Sequence, residues 1–179
     1  MNRIEDEEML VVRYLKSKSQ VAVPDDVYSM DEFNGFEPAL DTMAPDYETD
    51  SPDGPGYETS VFVYRPSEGI NWNDGINLFS RGGNPNVPAF AVQMTVKDVH
   101  DAGLYVASQP YDDGTPHASI RGFSDDGEIR EDQSDQLAVS GHCVIRPDQE
   151  EAQLKRAAQI VAQNCANLKK QKVENERWC

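Results

Sequence analysis

From Pro147 onward the chain reads "DQEEAQLKRAAQIVAQNCANLKKQKVENE", and no other run narrows the choice of fold as much. Asp148 stands where a helix N-cap would stand, with Glu151 three residues on, so the two side chains can satisfy free backbone donors at the start of a helix. Leu154, Ala158, Val161, Cys165 and Leu168 then recur at steps of four, three, four and three. Such steps keep to one side of a helix, so the spacing predicts a narrow apolar seam on roughly 28 helical residues, roughly 40 Å at 1.5 Å per residue. A small sheet cannot cover that length. The expectation is a helical extension over 148–179 whose distal half packs on another subunit, with these five side chains as interface candidates.

Residues 2–19, "NRIEDEEMLVVRYLKSKS", predict a second helix. Asn2 and Glu5 take the cap positions, Glu5, Asp6, Glu7 and Glu8 crowd the positive end of the helix dipole, and Arg13, Lys16 and Lys18 lie toward the negative end. Leu10, Val11, Tyr14 and Leu15 fall at helical spacing, which makes Leu10 and Tyr14 two further interface candidates. Residues 20–30 are short, β-rich and interrupted by Pro24, as in an edge strand or extended arm. Residues 34–58 hold four prolines, many acids and few aliphatics, the composition of a long acidic loop inserted in a 1–147 domain. No stretch of it carries the D-x-[DN]-x-[DN]-G spacing that sets oxygens around calcium.

Four strands are expected, at 59–66, 89–95, 116–123 and 136–147. In the last, Leu137, Val139, Gly141, Cys143 and Ile145 alternate onto one side. Asn73-Asp74-Gly75, Asp112-Asp113-Gly114 and Asp125-Asp126-Gly127 predict turns, because Gly after Asx supports positive φ, and the last would join the third and fourth strands as a hairpin. Thr95 and Asp98 form a capping box for a central helix that runs to about Gln109 on the face of Val96, Val99, Gly103, Val106 and Ala107. A competing reading stops it at Gly103 and makes the following residues a strand. The fold class is therefore α+β: a small, mostly antiparallel sheet with an N-terminal helix, one central helix and a long C-terminal helix.

Charge separates the two regions. Residues 1–147 hold 10 basic and 27 acidic side chains, whereas 148–179 hold 6 basic and 5 acidic. A body so acidic disfavours nucleic-acid and anionic-membrane partners, which need positive surface, and favours protein partners; an acidic binding module that imitates DNA is one alternative. No apolar stretch approaches the roughly 18 residues of a membrane helix, and the acidic N-terminus has no signal-peptide core, so the expected location is cytoplasmic.

The motifs carry little chemistry. Cys143, Cys165 and Cys179 are far apart and form no CxxC, so no zinc or disulfide framework is signalled. His100-Asp101 lacks companions at metal-ligand spacing. His142 and Cys143 are adjacent, so on a strand they point apart and cannot form a dyad. Arg81-Gly82-Gly83 could offer amides to an anion, but a strand rather than a helix follows. If the third and fourth strands paired, His117 and His142 could approach, and with Asp112 or Asp135 would make an acid–base set for a small hydrolase. The leading expectation is nonetheless no catalytic, cofactor or metal site.

The order helix, extended arm, strand, Gly-Gly turn, apolar strand, helix and hairpin is similar to that of the tail-terminator and related head–tail joining proteins of tailed bacteriophages. The similarity is carried by "EEMLVVRYLKS", "VAVPDDVY", "SRGGNP", "AFAVQM" and "SGHCVIRP" over about residues 5–147. The 34–58 loop and the helix after Pro147 depart from it. The resemblance implies a ring-forming virion component, assembled in a host cytoplasm, without a catalytic site, contacting tail-tube and connector subunits, with a negative lumen that does not adhere to DNA.

Overall fold

The computed structural model describes residues 2–80 and 83–178. In chain order these form β1 (Asn2–Arg3), β2 (Leu10–Leu15), β3 (Val21–Ala22), β4 (Glu37–Pro38), β5 (Asp46–Glu48), β6 (Gly56–Tyr64), α1 (Trp72–Phe79), β7 (Phe90–Thr95), α2 (Val96–Asp101), β8 (Tyr105–Ser108), β9 (His117–Arg121), α3 (Gly127–Ser140), β10 (His142–Ile145) and α4 (Glu150–Trp178). Seven strands lie in the order β1-β8-β9-β6-β2-β7-β10, with β5 added beside β6 as the eighth, and β3 and β4 make a separate two-stranded ribbon. Every pairing is antiparallel.

The expected N-terminal helix is instead β1, a turn and β2. Met9 N–H donates to the Asp6 carbonyl and Glu8 N–H to Asp6 Oδ1, so the acid cluster makes a turn. β2 lies at the middle of the sheet between β6 and β7, with Val11 opposite both Val63 and Met94. A strand covered on both faces is apolar on both. Leu10, Val11, Val12, Tyr14 and Leu15 therefore imitate a helical stripe, while two adjacent valines and a tyrosine favour extended backbone. Val11 and Val12 are 1 % and 0 % exposed, and full burial of a valine contributes about 1.5–3 kcal/mol.

Side chains alternate across the sheet and define two cores. On one face Val11, Leu15, Val61, Phe90, Val92 and Ile120 meet Val99 of α2, Leu137 of α3, Ala157 and Val161 of α4, and Val21, Phe36 and Met43 of the 20–45 segment. On the other, Val12, Tyr14, Phe62, Tyr64 and Ala91 meet Ile70, Trp72 and Phe79 around α1.

Four other expectations change. Residues 136–147 are the end of α3, a break at Gly141, and β10. Asp126 caps α3 by accepting from the amides of Glu128 and Ile129, so Asp125-Asp126-Gly127 opens a helix and no hairpin joins β9 to β10. Leu137 is buried while Val139 is 76 % exposed, the signature of a helix rather than of one strand face. Likewise Asn73-Asp74-Gly75 lies inside α1, capped by Asn71. The central helix ends at Asp101, and Gly103, at φ +75°, turns the chain into β8, which is the competing reading. Among the described residues no helix is long and apolar enough to cross a membrane.

Candidate functional site

The Asp112-Asp113-Gly114 turn closes the hairpin of β8 and β9, with Gly114 at φ +86° and its amide on the Tyr111 carbonyl. This closure brings Tyr111 over His117, the first residue of β9. The two rings stack at 4.6 Å with 11° between their planes, and Phe62 meets the imidazole edge-on at 5.8 Å. Nδ1 of His117 lies 3.1 Å from the Gln109 carbonyl oxygen, and Nε2 lies 2.8 Å from Ser60 Oγ on the neighbouring β6. Gln109 is itself fixed: its amide donates to the His117 carbonyl, and its side-chain oxygen accepts from Ser119. Burial pushes the His117 pKa below its ordinary value, opposed by the Gln109 carbonyl, so the site favours the neutral ring. Ser60 stays exposed.

The His117–His142 set proposed for a hydrolase does not assemble. The two histidines share one row across the sheet, His142 opposite Gln93, Gln93 opposite Val12, Val12 opposite Phe62, and Phe62 opposite His117. Four strand spacings put them about 19 Å apart at 4.7–4.9 Å each. Cys143 lines a cleft of about 580 Å³ between the 24–40 segment and the α3–β10 junction, and burial, with the charge of Glu37, pushes its thiol up to about 12, far from a reactive thiolate. His100 and Asp101 sit on the surface of α2; His100 lies 3.6 Å from Glu7, and Asp101 pairs with Lys97 at 2.6 Å. Among the described residues, no group of three or more His, Cys, Asp or Glu side chains could hold a metal ion. Arg81, Gly82 and Cys179 lie outside the described residues, and with them most of the Arg81-Gly82-Gly83 anion reading.

Residues 34–58 are not one loop: they hold β4, β5 and the start of β6 and bury Phe36 and Met43, and only their 51–58 end gathers around a cation. Arg121, whose side chain is 5 % exposed, bonds Ser51 Oγ, Asp53 Oδ2 at 2.8 Å and the Gly54 carbonyl at 3.1 Å, with Glu58 3.7 Å away. Burial raises the Glu58 pKa, and Arg121 opposes the rise.

The interface candidates fall in different places. Tyr14 is core, 4 % exposed, with its hydroxyl on the Asn71 carbonyl, and Leu10 packs at the margin of the same cluster. On α4 the buried line is Gln153, Ala157 and Val161, one residue from the expected line at its start. Leu154 is 38 % exposed, and Ala158, Cys165 and Leu168 are half-buried. Arg156 donates to the Lys18 carbonyl, and Asn164 to those of Pro24 and Val27, which pins the first four turns to the body. Residues 169–177 are all exposed. Sequence reasoning missed Gln153 because a glutamine gives no apolar signal, and Ser60 because its contact with His117 runs diagonally between paired strands.

No family model, curated protein or solved structure matches this chain.

Proposed function

We propose that the chain is a non-enzymatic assembly protein that forms homo-oligomers, residues 169–177 of one copy docking on the acidic body of the next. The observation that carries this is the division of α4: its first half buries Ala157 and Val161 in the core and is tied to Lys18 and Pro24, whereas residues 169–177 are all exposed. That free stretch holds Lys169, Lys170, Lys172 and Arg177 against Glu174 and Glu176, with Val173 54 % exposed, on a molecule of net charge −16. Opposite charge on two separate surfaces of one chain favours a head-to-tail contact, which generates a ring where the rotation closes. The partner-interface residues are then Leu168 and Val173 with the three lysines. The narrower version, a virion component at a head–tail junction or tail end, draws on the phage resemblance, and of the elements that carry it the N-terminal helix and the closing hairpin are absent among the described residues.

Mass measurement by light scattering at micromolar concentration tests the proposal. The unaltered chain should form particles larger than a monomer, and Lys169→Glu/Lys170→Glu/Lys172→Glu should shift them to monomer. A strict monomer at all concentrations and low salt removes the proposal.

A further inference from the structure

We propose that Ser60 is a nucleophilic hydroxyl that accepts an acyl group from an activated ester, with His117 as its general base. This goes beyond assembly: it assigns a covalent acceptor site at an exposed position of β6.

The proton positions follow from the partners. The Gln109 carbonyl can only accept, so Nδ1 of His117 carries a hydrogen. In the neutral ring Nε2 is then bare, and the Ser60 hydroxyl 2.8 Å away donates to it. Nucleophile, base and a third group that orients the base are the parts of an activated serine; here a backbone carbonyl takes the orienting place. The ring cannot turn without leaving the Tyr111 stack and the Phe62 edge, so the alignment is fixed before any reagent arrives. Burial keeps the ring in its basic form near neutral pH. The Arg13 guanidinium donates to the Ser60 carbonyl at 2.9 Å, and Asp113, in the turn that follows Tyr111, accepts from the Thr115 amide. Ser60 itself faces solvent, so an ester can reach it.

In the step proposed, Ser60 Oγ bonds to the acyl carbon as its proton passes to His117 Nε2. The leaving alkoxide or phenolate departs with the electron pair of its bond to carbon and takes that proton. The products are the Ser60 ester and the free alcohol, with no oxidant or cofactor needed. A positioned base supplies about 10²–10⁴-fold in rate.

The test treats the full chain with p-nitrophenyl acetate and, separately, with a fluorophosphonate, in which Oγ bonds to phosphorus and fluoride leaves with the P–F electron pair. Peptide mass spectrometry then maps the adducts. Ser60 should react at least tenfold faster than the exposed Ser67, with a rate that rises with pH through the His117 titration followed by NMR. His117→Gln, its fold checked by circular dichroism, should lose at least tenfold at Ser60 and lose that pH dependence. Equal rates at Ser60 and Ser67, or a wild-type rate in His117→Gln, overturns the proposal. Should the variant not fold, a Ser60 rate in the unaltered chain that ignores the imidazole titration overturns it as well.

Discussion

The phenolic oxygen of Tyr14 lies 2.7 Å from that of Tyr64, and the pair joins three elements. Tyr14 also meets the Asn71 carbonyl ahead of α1, and Tyr64 donates to Asp74 Oδ2 at 2.6 Å within it. Removing one hydroxyl leaves buried polar partners short of a bond, which costs about 1–3 kcal/mol. Tyr14→Phe should lower stability by that amount in urea unfolding. Burial raises both phenol pKa values above the ordinary 10.0. Their contribution is therefore complete below pH 10 and is lost as pH rises beyond it, because the unfolded chain then releases protons that the folded chain keeps. Tyr14→Phe/Tyr64→Phe should flatten the alkaline slope.

Gly75 lets α1 lie directly on the Tyr14 ring. A Cβ there would overlap Tyr14 Cδ1 and Cγ and come within 2.9 Å of Pro88 Cγ. Alanine is ordinarily the better helix former, by about 1 kcal/mol. Here overpacking should outweigh that gain, so Gly75→Ala should destabilise by about 1–3 kcal/mol. The check is its urea midpoint against that of the unaltered chain.

Arg121→Ala removes the cation around which Ser51, Asp53 and Gly54 fold. Breaking a buried pair from one side typically costs about 3–5 kcal/mol, since the partner charge stays behind. The side chains of Glu58 and Asp53 are 18 % and 16 % exposed, so water relieves part of that cost and the expected loss is about 2–4 kcal/mol. The 49–55 segment should also become the first site of limited proteolysis.

His117 has a folded pKa below its ordinary 6.5. As pH falls, the unfolded chain takes up the proton first, so this group's stabilisation is present above about pH 6.5 and is lost as pH falls through the folded value. Glu58, with its pKa raised above 4.5, acts with the opposite sign: its contribution is lost as pH rises. Comparing urea unfolding of the unaltered chain and His117→Gln between pH 7.5 and 5 isolates the histidine. The variant should lose less stability on acidification.

Patterning made β6, β7, β9 and α4 legible, since each repeats its own period between clear punctuation. The cap on α2 was equally plain: Thr95 and Asp98 exchange both bonds. β2 was not legible, because burial on both faces erases the alternation that marks a strand. Nor was α3, where Leu137, Val139 and Gly141 alternate by chance across the end of a helix and the start of a strand. His117 could be singled out as a histidine at a strand start, but its partner depends on which strand lies beside β9, and that neighbour is β6 rather than β10. On α4 the existence of a seam was readable; its starting line was not, because Gln153 is the residue that turns inward.

Within the large sheet, among the described residues, only β5–β6 and β8–β9 join consecutive strands. β2 waits for partners that begin at Gly56 and Phe90. During synthesis its apolar residues emerge long before either neighbour exists, so nothing can zip onto them locally. Ordering of the centre must follow the appearance of residue 95, and closing such distant loops slows the search. Until then Leu10–Leu15 is an unprotected adhesive segment, and the run of four acids just before it, Glu5–Glu8, supplies the repulsion that keeps nascent copies apart.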